Sequence, residues 1–215
     1  MQRPLLLGHR GARAVRSIQE NSLLSFDRAL ADGCDGFEFD VRLTADGEAV
    51  LWHDEALNGL EIARSSSKYL AGLARLEQVL ERYRHSAFLD IELKVAGLER
   101  LILLLLKKHP PQRGFVVSSF LPEVLRNLRE RSTKLPIGLI CDTQAELRRW
   151  NAIDVDYVIP QYKRVDATLI RQLKAAGKKI FVWRVNSAKQ IQSFADAGVD
   201  GIISDHTELL SKLRT

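Results

Sequence analysis

Two short apolar segments of this chain carry charged residues at every second position. In Phe37-Glu38-Phe39-Asp40-Val41 the carboxylates alternate with aromatic and aliphatic side chains, and Leu89-Asp90-Ile91-Glu92-Leu93-Lys94 repeats the pattern. In extended backbone, residues i and i+2 share a face, so each segment puts its charges on one side and its apolar groups on the other. A solvent-facing edge or antiparallel strand alternates in the same way. In a parallel sheet covered by helices neither face is free for water, and inward charges belong near the C-terminal mouth. There Glu38, Asp40 and Glu92 would converge as three hard oxygen donors. Such a cluster is unfavourable unless a cation compensates it. All-oxygen donors suit one divalent cation, Mg2+ or Ca2+, rather than zinc, for which Cys and His would be expected. Asp90 is expected deeper, paired with another interior residue, and Lys94 is placed to meet a carboxylate or a ligand's negative charge.

Two histidines end extended segments. His9 closes the first apolar run, and His53 closes a run that follows the turn Thr44-Ala45-Asp46-Gly47. A lone histidine is more often structural, but two at one mouth beside carboxylates suit a hydrolase that must move protons on two oxygens. His85, His109 and His206 fall near helix ends or in a late loop and earn no such role. Ser118 and Ser119 end a strand, and with Phe120 can line a pocket. Ser118 lacks the Gly-x-Ser-x-Gly surroundings of a nucleophile elbow.

The elements that would hold these residues alternate along the chain. Strands are expected at 4–9, 36–42, 87–94, 114–119, 137–141, 157–160, 179–185 and 201–204. Helices are expected at 22–31, 73–84, 98–109, 122–131, 144–150, 167–176, 188–197 and 207–213. Asp32-Gly33, Ala176-Gly177 and Ala197-Gly198 supply helix stops. Eight βα units within 215 residues fit a (β/α)8 TIM-type barrel as a single domain, 1–215, with a short β-hairpin excursion after the second strand. A doubly wound open sheet is the competing architecture. Basic residues exceed acidic ones, 32 to 27, but they are scattered, which gives nucleic-acid binding no support. The longest apolar run, 101–106, is far short of a membrane span, and the N-terminal apolar run is too short for a signal-peptide core. Cys34 and Cys141 read as buried, reduced thiols, consistent with a soluble cytoplasmic protein.

An ordered series of motifs adds a resemblance. His9-Arg10-Gly11, Glu20-Asn21-Ser22, Asp35-x-x-Glu38-x-Asp40-Val41, Thr44-x-Asp46-Gly47, His53-Asp54, Ile91-Glu92-Leu93-Lys94, Trp183-Arg184-Val185-Asn186 and Gly198-Val199-Asp200-Gly201-Ile202 follow one another from near residue 5 to 205. Together they resemble the glycerophosphodiester phosphodiesterase family. The resemblance implies cleavage of a small glycerophosphodiester to glycerol 3-phosphate and an alcohol, with Glu38, Asp40 and Glu92 as metal ligands. It implies His9 and His53 as the acid–base pair, Arg10 and Lys94 on phosphate oxygens, and Trp183 beside the substrate. Glu20, Asn21 and Asp54 become supporting candidates. For the first two a local role competes, since Ser17-x-x-Glu20 resembles a capping box and Asn21 is a good N-cap.

Three features depart from the family pattern. Residues 55–72 look abbreviated, Arg184 stands where threonine commonly follows the tryptophan, and Ser204-Asp205-His206 replaces a Thr-Asp-x-Pro-like ending. The competing functions are a phosphodiesterase of lysophospholipids, which would need an acyl groove, and a catalytically inactive barrel that binds metal or a phosphodiester.

Overall fold

The computed structural model describes residues 3–214. Its elements are β1 Leu5–His9, α1 Leu23–Ala31, β2 Gly36–Leu43, β3 Ala49–Leu51, β4 Ala56–Leu57, β5 Leu60–Glu61, α2 Leu76–Tyr83, β6 Phe88–Leu93, α3 Glu99–Lys108, β7 Phe115–Ser119, α4 Pro122–Arg131, β8 Ile137–Cys141, α5 Gln144–Leu147, β9 Tyr157–Pro160, α6 Ala167–Ala175, β10 Lys179–Val182, α7 Ala188–Asp196, β11 Gly201–Ser204 and α8 Thr207–Leu210. Strands β1, β2, β6, β7, β8, β9, β10 and β11 pair in parallel, each with the next, and β11 returns to β1. The sheet is therefore a closed eight-stranded (β/α)8 barrel, not an open doubly wound sheet.

Alternation along each strand divides the side chains into two cores. Leu6, Phe37, Phe39, Leu89, Ile91 and Val158 point outward and pack with the apolar stripes of the helices. Leu7, Phe88, Val116, Tyr157, Phe181 and Ile203 point inward and fill the barrel floor. Phe181 stands edge-on to both Phe88 and Tyr157, at 5.7 and 5.0 Å between ring centroids. Rings of this size fit because other inward positions are glycine. A Cβ on Gly201 would stand 2.4 Å from the Phe181 ring, and one on Gly138 would stand 2.8 Å from Ile159.

Local chemistry sets the helix ends. Ser22, Asp166 and Ser187 accept backbone N–H groups at the starts of α1, α6 and α7. Thr143 and Glu146 form a reciprocal capping box on α5. That helix stops at Leu147 rather than reaching 150, because Arg149 and Trp150 bond three residues back and tighten the last turn. The β10 ladder likewise ends at Val182, with Trp183 making only an isolated bridge to Gln161.

The excursion after β2 is an antiparallel hairpin, with Val41 opposite Leu51 and Leu43 opposite Ala49. Beyond it, the segment that looked merely abbreviated folds into the β4–β5 hairpin and two 3-10 turns over a small core of Val50, Ile62 and Leu70. Cys34 and Cys141 are both buried thiols. No helix among the described residues is long and apolar enough to cross a membrane.

The floor generates the first prediction. Gly201→Ala should lower unfolding free energy by about 1–3 kcal/mol, because the new methyl overpacks against Phe181. Urea denaturation measures this directly. A change below ~0.5 kcal/mol, the range of neutral surface substitutions, would show that the floor can relax.

Candidate active site

One turn organises the mouth of the barrel. His9 ends β1, and the chain then bends through Arg10 and Gly11, at φ 50° and 80°. Glycine is needed at the second position, since a Cβ there would stand 2.4 Å from Ser25 Oγ and 2.6 Å from its carbonyl carbon. Ser25 Oγ donates to the Arg10 carbonyl at 2.9 Å, and the Asn21 N–H donates to the same oxygen at 3.1 Å. Asn21 is not the helix cap; Ser22 is. Asn21 takes a left-handed conformation, φ 54°, and grips Asp40. Its Nδ2 donates to Asp40 Oδ2 at 2.8 Å, while its Oδ1 accepts the Asp40 N–H at 3.1 Å. Glu20 makes no capping box either. It pairs with Arg10 Nη1 at 2.6 Å and Arg13 Nε at 2.7 Å, outside the cavity.

The register of β2 and β6 places Asp40 beside Glu92 and Glu38 beside Asp90. One oxygen each from Glu38, Asp40 and Glu92 lies within 4.8 Å of the others. Glu38 Oε2 accepts the Arg10 N–H at 3.0 Å, and Asp40 Oδ2 faces Arg10 Nε at 3.0 Å. Lys94 Nζ lies 2.7 Å from Glu92 Oε1 and 3.4 Å from Asp40 Oδ1. These contacts balance charge. Glu38 Oε1 and Asp40 Oδ1 are buried and accept no hydrogen bond. Three buried carboxylates that each bring one oxygen to the others suit a hard divalent cation.

Burial controls the charges. It pushes Glu38 well above the ordinary carboxylate range, and the neighbouring charge of Asp40 adds to the effect. Glu92 rises to about 7, through burial first and Asp40 second, against the pull of Lys94. Asp40 is also buried, yet Arg10, Lys94 and the Asn21 hydrogen bond hold it below its usual value. Asp90 lies deeper, accepts Ser118 Oγ at 2.6 Å, and is raised by burial to about 7.

The two histidines approach from opposite settings. His9 is buried, with Nδ1 2.7 Å from Asp205 Oδ1 and Nε2 3.7 Å from Glu38 Oε2. Burial lowers its imidazole to about 4 although the Asp205 hydrogen bond opposes the shift. His53 stands at the rim with 37% of its side chain exposed, and its Nδ1 lies 2.7 Å from Asp54 Oδ1. Arg42 donates twice to the His53 carbonyl, at 2.8 and 2.9 Å, and ties that rim to β2.

These groups surround a cavity of about 210 Å3. His9, Arg10, Glu38, His53, Glu92 and Lys94 line its polar side, while Phe120 and Trp183 contribute to its apolar wall. The two rings meet edge-on at 5.6 Å, and Trp183 Nε1 donates to the Ile159 carbonyl at 2.8 Å. Asp205 is the residue that the sequence motifs did not single out for a role. It follows β11 two positions after inward-facing Ile203, which is the periodic signal that could have found it. Asn186 Nδ2 holds its other oxygen at 2.6 Å. Asp142, Gln161 and Arg184 also line the cavity and were not expected there.

Comparisons with known proteins point to one family. The model of the glycerophosphoryl diester phosphodiesterase family matches residues 9–82 and 89–209. A glycerophosphodiester phosphodiesterase of Caldanaerobacter subterraneus subsp. tengcongensis is 29% identical over 237 residues, covering 97% of each chain. The crystal structure of a glycerophosphodiester phosphodiesterase from Thermotoga maritima superposes with a TM-score of 0.85 at 26% identity, covering 100% of both chains. An Oleispira antarctica phosphodiesterase, solved with the product sn-glycerol-3-phosphate, gives a TM-score of 0.86 at 23% identity, over 99% of this chain and 98% of that one.

The acidic cluster predicts an unusual pH response of the metal-free protein. A carboxyl raised from 4.5 to about 7 on folding carries no penalty below the unfolded value. The penalty grows through that window and is complete above the folded value. Glu92→Gln removes it. In EDTA the variant should therefore be more stable than the parent at pH 8, on the order of 1–3 kcal/mol, with the gap narrower at pH 5. Parallel denaturation curves at both pH values decide the matter. A variant less stable at pH 8 would mean that Glu92 is held by favourable contacts instead.

Proposed function

The chain belongs to the glycerophosphoryl diester phosphodiesterase family and is a phosphodiester hydrolase, and from that premise we propose the following reaction. A small glycerophosphodiester is cleaved to glycerol 3-phosphate and an alcohol, with one divalent cation, Mg2+ or Ca2+, held by Glu38, Asp40 and Glu92. The observation that carries the reading is the set of three buried carboxylates, each with one oxygen within 4.8 Å of those of the others. When bound there, the cation supplies positive charge for the phosphoryl oxygens.

The chain's own groups do the rest. Arg10 and Lys94 stand beside the carboxylates and offer donors to the remaining phosphoryl oxygens, where charge develops during displacement. His9 donates Nδ1–H to Asp205, which leaves Nε2 with its lone pair towards the cluster. Burial keeps that ring neutral, so it is suited to accept the proton of the attacking oxygen. Asp205, in turn held by Asn186, fixes the tautomer and stabilises the imidazolium that forms. His53 is anchored through Nδ1 by Asp54 and sits at the open rim, where it can return a proton to the departing alkoxide. Trp183 and Phe120 cover the carbon atoms next to phosphorus.

A cavity of about 210 Å3 favours a polar diester over a lysophospholipid, whose acyl chain would need more apolar room. An inactive binding barrel would not need a neutral, tethered base beside the cluster.

Turnover of glycerophosphocholine tests the reading. EDTA should abolish it, Mg2+ or Ca2+ should restore it, and Glu38→Ala should lower it at least ~100-fold. Full activity in EDTA would overturn the cation's part. The histidine roles separate by leaving group. His53→Ala should lose roughly 10²–10⁴-fold on glycerophosphocholine but much less on an aryl ester of glycerol phosphate, whose phenolate departs without a proton. His9→Ala should lose comparable activity on both substrates. Selective aryl-ester rescue of His9→Ala would reverse the assignment.

A further inference from the structure

The catalytic cavity has a neighbour beside its apolar wall. A second cavity of about 310 Å3 adjoins it, sharing Gln161, Trp183 and Arg184 as common lining. Its remaining walls are polar and include Lys163, Asn186 and Ser187; among the described residues they present no carboxylate. A phosphodiester has two arms. With phosphorus held beside Arg10, Lys94 and the acidic cluster, an arm that passed Trp183 would reach this second chamber.

Two observations define what that arm carries. Gln161 Oε1, at the junction of the chambers, is buried and has no hydrogen-bond donor. A buried amide oxygen in that state calls for a donor from a ligand, and a hydroxyl supplies one. Beyond it, Arg184 lies against the Trp183 ring, its guanidinium carbon 5.6 Å from the centroid. The nearest carboxylate to it is Asp205, at 3.9 Å. Both Asp205 oxygens are taken by closer donors: Asn186 at 2.6 Å on one, His9 at 2.7 Å and Arg13 at 3.3 Å on the other. Arg184 therefore keeps most of its charge and donors for something else. Lys163 adds a second cation to the same chamber. On the opposite side Asp142 lines the first cavity, and its carboxylate would repel an anion lodged there.

We infer that the alcohol arm of the preferred substrate is a phosphorylated polyol, its hydroxyls read at Gln161 and its phosphate at Arg184. The inference rests on the glycerophosphodiesterase reading and narrows it to a head-group class. A choline arm offers Gln161 no donor and meets Arg184 with a like charge. Arg184 is thus a specificity residue, acting on the departing alcohol and not on the reacting phosphorus.

The test compares kcat/KM for glycerophosphoinositol 4-phosphate and glycerophosphoinositol, which differ only in the distal phosphate, with glycerophosphocholine as reference. The parent enzyme, with Mg2+ or Ca2+, should favour the phosphorylated arm by about 10-fold, the scale of one hydrogen-bonded charge. Arg184→Thr should bring that ratio close to one, and Arg184→Lys should retain part of it. A ratio at or below one in the parent, or a ratio unchanged in Arg184→Thr, would overturn the inference. Turnover of glycerophosphocholine alongside either result leaves the reaction itself standing. Failure to cleave all three would refute the reaction, and the inference with it.

Discussion

Negative charge gathered in a dry barrel mouth is the condition on which the rest of the site depends. Glu38, Asp40, Asp90 and Glu92 are all nearly inaccessible to water, and among the described residues Arg10 and Lys94 are the cations that pair with them. Four carboxylates against two cations leave two negative charges uncompensated if all ionise. Water cannot screen them there, so the cluster must hold protons or gain a cation. The raised values of Glu38, Asp90 and Glu92 are the first response. The proximity of one oxygen from each of Glu38, Asp40 and Glu92 is an opening for the second.

The surrounding architecture keeps those charges from moving apart. Asn21 clamps Asp40 through both its backbone and side chain. The left-handed turn at Arg10 and Gly11 directs a backbone N–H at Glu38, and Ser25 on α1 locks that turn. Below, the aromatic floor of Phe88, Tyr157 and Phe181 seals the barrel, which explains why Asp90 must find its partner in Ser118. Asp205 stands further out, better supplied with donors, and remains a strong acceptor for His9. The site therefore has a charged but dry centre and progressively wetter rims at His53 and Arg184.

Much of this was legible because barrel strands impose a period of two. Glu38, Asp40, Asp90, Glu92 and Lys94 lie on the inward face that alternation assigns them, and eight βα units imply closure. Residues whose meaning is set by distant partners were harder to read. Asp205 matters because His9, 196 positions earlier, lies beside it, and no local pattern encodes that meeting. Asn21 looked like a helix cap because the adjacent Ser22 performs that task and both types are suited to it. The β4–β5 hairpin did have a local signal: Asn58-Gly59 takes the left-handed pair, φ 50° and 82°, that two-residue hairpin turns require. Its flanking strands are only two residues long, so no alternation announced them.

The claim that the acidic cluster is a built cation site is tested most directly by calorimetric titration of the metal-free protein with Ca2+ and with Mg2+, without substrate. The account predicts one ion per chain for at least one of the two. It further predicts at least a ~10-fold loss of affinity in Glu38→Gln and in Glu92→Gln while both variants stay folded, since each removes one of three oxygen donors. No saturable binding to the parent protein, or equal affinity in both variants, would contradict it.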